Sequence, residues 1–60
     1  MYRLIYKNER DVSRQFEFST EPSLHTALLL LYANSYNTDI QVFTHVGSVW
    51  YDVTSEYRYS

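Results

Sequence analysis

Sixty residues with no cysteine, a formal charge of −2 and a pI near 5.5 make one small domain, residues 1–60, that neither disulfides nor a thiolate metal site can staple. That charge excludes a protein whose affinity rests on neutralising many phosphates. The longest strongly apolar run, residues 27–33, falls far short of the roughly 20 residues that span a bilayer, and no cationic segment with an apolar stretch opens the chain at Met1. A complete, unprocessed, soluble chain in a reducing cytoplasm is the expectation.

Tyr2 to Lys7 alternates, with Tyr2, Leu4 and Tyr6 on one face and Arg3, Ile5 and Lys7 on the other, the period of a strand. Asn8-Glu9-Arg10-Asp11 is turn chemistry. Residues 12–19 alternate again: Val12, Phe16 and Phe18 point one way, with Arg14 on the same side near an edge, where its stem can lie buried and its head reach water. These strands form a first hairpin, whose turn does not fix the register.

Residues 22–38 carry no charge. Ser19 or Thr20 can cap the start through a side-chain oxygen, Glu21 suits the positive end of the helix dipole, and Pro22 is tolerated in the first turn. Asn37 is the expected left-handed stop of a helix of about three to four turns. At 100° per residue, Leu24, Ala27, Leu28, Leu31 and Ser35 share the face toward the core. The far flank should then be polar, yet it holds Leu29, Leu30, Ala33 and Tyr36. A helix over a single sheet would leave those groups in water.

Residues 40–46 and 49–57 form the second hairpin. Gly47-Ser48 is a two-residue turn with Gly where type II′ requires positive φ. It sets Val46 against Val49, Thr44 against Tyr51 and Val42 against Val53 on one face, and His45 against Trp50 and Phe43 against Asp52 on the other. The sum is an α+β fold, a small four-stranded antiparallel sheet with one helix packed on a face, in the order β-β-α-β-β.

No catalytic constellation is visible. His25 and His45 lie on different elements outside any metal-binding or nucleophile motif, and the seven carboxylates are scattered over the elements. With one glycine there is no phosphate-cradling loop, and a chain this size can hardly enclose a substrate cavity of ~300 Å³. The expectation is a protein that is not an enzyme and takes no cofactor, metal or small-molecule substrate. Tyr2-Arg3, Tyr6-Lys7 and Tyr57-Arg58-Tyr59 have the texture of a single-stranded nucleic-acid reader. Alternation puts those tyrosines and cations on opposite faces, so nucleic acid is the alternative and not the first choice.

Protein binding is the better expectation. Fully burying a Leu side chain is worth ~1.5–3 kcal/mol, a large share of what stabilises so small a domain. Leu29, Leu30, Ala33 and Tyr36 on the helix, with Phe43 and Trp50 on the outward sheet face, are therefore the candidate interface. Ile5 joins Phe43 and Trp50 if the first strand neighbours the second hairpin. A homodimer is the simplest way to cover one apolar patch with itself. In size, tyrosine content, scarcity of glycine and element order, the whole chain resembles the very short proteins that bacteriophages and mobile elements make to bind one host enzyme. That resemblance implies an inhibitor or regulator of a host protein complex and carries over no individual residues.

Overall fold

The structure, a computed structural model, describes residues 1–57. Strands β1 (Tyr2–Lys7) and β2 (Ser13–Phe18) are followed by helix α1 (Glu21–Tyr32), strands β3 (Thr38–Val46) and β4 (Val49–Asp52), and a single 3-10 turn, Thr54–Tyr57. The sheet is four-stranded and antiparallel, in the order β2-β1-β3-β4, so the expected α+β architecture is the observed one. The second hairpin thus docks on β1. Leu4 sits opposite Phe16 on one side and Val42 on the other, which aligns the apolar positions of three strands on the face that α1 covers.

The second hairpin has the register that its turn dictates, from Val46 opposite Val49 to Phe43 opposite Asp52. Gly47 stands at φ 63° and Ser48 is not in the left-handed region, the signature of a type II′ turn. The first hairpin closes by different means. Asn8 Oδ1 accepts hydrogen bonds from the N–H groups of Arg10 (2.9 Å) and Val12 (3.1 Å), and Asp11 takes a left-handed conformation at φ 60°. Among the described residues the other left-handed non-glycine residue is Asp39, at φ 52°. It lies in a bulge of β3, where Asp39 and Ile40 together stand across from Tyr6. Lys7 Nζ lies 3.8 Å from the Asp11 carboxylate and 3.7 Å from that of Asp39, so one half-exposed cation stands beside both irregular positions.

Two boundaries differ from expectation. The last strand ends at Asp52 and does not run on to about Tyr57, because the Asp52 carboxylate accepts hydrogen bonds from the Thr54 hydroxyl (2.6 Å) and the Thr54 N–H (2.9 Å). Such a side-chain turn competes with the ladder. Val53 still donates to the Val42 carbonyl at 2.9 Å, keeping the expected Val42–Val53 partnership, but the Val42 N–H turns to Thr54 Oγ1 at 3.0 Å. The chain then curls back and lays Tyr57 against the core.

The helix stops at Tyr32 and not near Asn37. Asn37 is not left-handed; its side-chain amide donates to the Leu31 carbonyl at 3.3 Å, while Asn34 Oδ1 accepts from the Tyr36 N–H at 3.0 Å. Side-chain partners of this kind offer the backbone an alternative to further helix. Ser35 therefore lies past the helix, exposed, and not on its inner face. At the other end Thr20 occupies the cap position, but its hydroxyl bonds to Ser23 Oγ instead of a first-turn N–H.

The core consists of Leu4, Val42, Leu24 and Leu28, all essentially inaccessible to water. Around it pack Tyr2, Tyr6, Phe18, Ala27, Leu31, Tyr32, Ile40, Val53 and Tyr57, each partly buried. Leu28→Ala removes one of the four side chains fully buried among the described residues and should cost ~2–5 kcal/mol, read as loss or large depression of the cooperative melt. No atom lies within 4 Å of a Cβ built on Gly47, so Gly47→Val tests backbone strain alone. It should lower stability by more than ~1 kcal/mol, and an unchanged melting temperature would rule out the left-handed turn.

Candidate protein-interaction surfaces

Helix α1 buries one side only. Leu24 and Leu28 are fully enclosed, whereas Leu29 is 49% and Leu30 71% exposed, as the unbroken apolar run of residues 27–31 requires when a single sheet lies beneath it. Ala33 closes the helix in the right-handed helical conformation, donates its N–H to the Leu29 carbonyl at 3.1 Å and so extends the Leu29 flank by one turn. Tyr36, 66% exposed, does not continue that flank but belongs to the loop beyond it, because the helix ends earlier than the pattern suggests. Leu29 and Leu30 diverge by one 100° step. Leu30 hangs over an apolar groove of about 250 Å³ between α1 and the β1–β2 hairpin, lined by Leu4, Tyr6, Phe16, Phe18, Ala27, Leu30 and Leu31. Tyr6 and Phe16 stack across the two strands, centroids 6.2 Å apart and planes at 15°. Phe16 remains 44% exposed. Its alternation signalled a core residue; its place on an edge strand leaves it at the groove's mouth.

Phe43 and Trp50 lie on the opposite face of the sheet, so the six candidate residues form two surfaces and not one. The strand order does set β1 beside β3, and Ile5 shares that open face, opposite Gln41. Trp50 is nevertheless not the bare anchor of an apolar patch. The Arg3 guanidinium covers its ring at 4.1 Å from the centroid, and His45 leans on it at 4.8 Å, tilted by 41°. Arg3 is also 3.6 Å from the Glu17 carboxylate, and its Nε is buried with no hydrogen-bond partner. A cation over an indole is worth ~0.5–1 kcal/mol at an exposed site and more where water is excluded, enough to hold the indole flat against the sheet. Sequence reading missed Arg3 because the contact needs the strand order: it passes over Phe43, its partner on β3, to a residue of β4.

A wider trough of about 510 Å³ lies open on the surface beside β1 and β3 and is not an enclosed cavity. Lys7, Ser13, Asp39, Asp52 and Thr54 give it polar groups. Their arrangement is structural: Lys7 pairs with Asp39, and the Thr54 hydroxyl and N–H bind the Asp52 carboxylate and hold its pKa below the usual range. Among the described residues no three His, Asp or Glu side chains converge as metal ligands, and no helix is long and apolar enough to cross a membrane.

Tyr2, Tyr6 and Tyr57 pack against the core, whereas Arg58 and Tyr59 lie outside the described residues. Burial, the charge of Glu21 and the neighbouring Tyr2 push the Tyr57 phenol up to about 12. Its neutral form is the one the fold favours, so its contribution to stability is complete below the unfolded phenol pKa near 10 and is lost as pH climbs toward 12. Denaturant melts between pH 9 and 12 should show that loss, and Tyr57→Phe should flatten the slope.

No family profile, curated protein or solved structure matches the chain.

Proposed function

We propose that this chain is a non-enzymatic cytoplasmic module that binds protein, associates with itself, and acts as an inhibitor or regulator of a larger host complex in the manner of short phage or mobile-element proteins. The observation that carries this reading is the outer side of α1. With only four fully buried side chains among the described residues, Leu30 stands in water at an open apolar groove whose mouth holds Phe16, and Leu29 stands exposed on the adjoining flank of the helix. Exposed apolar groups that adjoin a preformed groove are where interface energy concentrates, and a rigid helix presents them at little ordering cost. A helix-bearing surface of this kind fits a flat or ridged protein partner better than a small polar molecule.

Single-stranded nucleic acid is the second reading, favoured by one arrangement. Arg3, Lys7, Phe43, His45 and Trp50 share the open sheet face, so cations and aromatic rings do meet on one surface, though not the tyrosines that first suggested it. Against it, the Arg3 guanidinium already covers Trp50 and adjoins Glu17, and Lys7 is paired with Asp11 and Asp39. Few free cations remain for phosphate.

Affinity capture from the native host, with and without nuclease, separates the two. The protein reading expects one stoichiometric partner that survives nuclease and is lost with Leu30→Glu, a change at a 71% exposed position that should leave the fold intact. Recovery that nuclease abolishes, and that Leu30→Glu leaves unchanged, would transfer the assignment to nucleic acid.

A further inference from the structure

The two edges of the sheet are not equivalent. β2 carries Arg14 on the same face as Phe16 and Phe18, and a charge on the apolar side of an edge strand discourages another strand from pairing there. β4 has no such guard. Val49, Trp50, Tyr51 and Asp52 include no lysine, no proline and no charge on the helix side, and three of the four are strong strand formers. The two-residue turn makes Val46 with Val49, and Thr44 with Tyr51, the hydrogen-bonded pairs of the hairpin. The N–H and C=O groups of Trp50 and Asp52 therefore point away from β3, along a free edge. On the helix side of that edge, Val46, Val49 and Tyr51 are 59%, 49% and 51% exposed.

We infer that a second copy of this chain adds to the β4 edge in an antiparallel, two-fold pairing centred on Tyr51, joining two sheets into one. The inference rests on the self-association in the reading above and moves it from the helix flank to the sheet edge. Side chains directly opposite in a pair share a face, so a two-fold axis can pass through Trp50 or through Tyr51. Charge selects between them. Centring on Trp50 opposes the two indoles and brings together the two Arg3 cations that cover them. Centring on Tyr51 sets Trp50 opposite Asp52 of the second copy, so that a carboxylate adjoins the ring under the Arg3 guanidinium. Trp50 and Asp52 then exchange backbone hydrogen bonds across the axis in both directions. The opposed Tyr51 side chains, with Val49, cover one another on the helix side. Pairing two strands this short buries less than the ~1,200–2,000 Å² of a standard stable interface, so the dimer should dissociate in the micromolar range.

The chain has no cysteine, which makes cross-linking a direct test. Opposed residues of a non-hydrogen-bonded pair have Cα atoms ~4.5 Å apart, within the range that a disulfide spans. Tyr51→Cys should give a covalent dimer on mild oxidation at micromolar concentration, whereas Leu29→Cys should not. Tyr51→Lys, which opposes two cations across the axis, should sediment as a monomer with an unchanged circular dichroism spectrum. If wild type dimerises, Tyr51→Lys dimerises equally well and Leu29→Cys is the variant that cross-links, then edge pairing is wrong while self-association stands. A wild type that stays monomeric at high micromolar concentration overturns both.

Discussion

The contact of four side chains, Leu4 and Val42 from the sheet with Leu24 and Leu28 from the helix, is what the rest of this fold depends on. Leu4 and Val42 are opposed on adjacent strands, and Leu24 and Leu28 are one helical turn apart, so each pair presents a single ridge and the two ridges close on each other. So small a centre cannot by itself hold sixty residues. Aromatic side chains extend it: Tyr2, Tyr6, Phe18 and Tyr57 pack their rings against the four while their edges stay in contact with water. The short turn after β4 serves the same end. By binding both the Thr54 hydroxyl and its N–H, Asp52 stops the strand and directs Tyr57 onto the core.

The scale of this core also explains where the apolar residues left over are found. One helix on one sheet buries one side of each. The other side of the sheet supplies its own cover through Arg3, which lies over Trp50 with Glu17 beside it. The outer side of α1 has no such cover, for the helix carries no long charged side chain whose stem could fold over Leu29 or Leu30. The contrast between the two faces is the physical basis for proposing a protein partner on the helix and not on the indole.

Much of the fold was legible in the sequence where two signals agreed. Gly47-Ser48 fixed the phase of the second hairpin and the apolar alternation matched it, so the partners of Val46, Thr44 and Phe43 could be named in advance. Strand order was not legible, because the chain from Ala33 to β3 carries nothing that says which edge of the first hairpin is approached. The Arg3 contact with Trp50 was hidden for that reason. The twelve residues of α1 make the expected three to four turns, but the stop was placed too late, since charge-free composition continues through Asn34 and Asn37, whose side chains bond locally and end the helix. That error placed Tyr36 on a flank that the helix does not reach. Leu29 and Leu30 were read correctly as outward, because they fall within the turns that do form.

The proposed self-association should stabilise the fold, whichever surface carries it. Association of the folded form raises the unfolding midpoint as concentration rises, since mass action favours the state that binds. Calorimetric melting over a roughly hundredfold range of protein concentration measures this directly, without a variant or an identified partner. The structure leads us to expect a midpoint that climbs with concentration; a midpoint that stays constant across the whole range would contradict it.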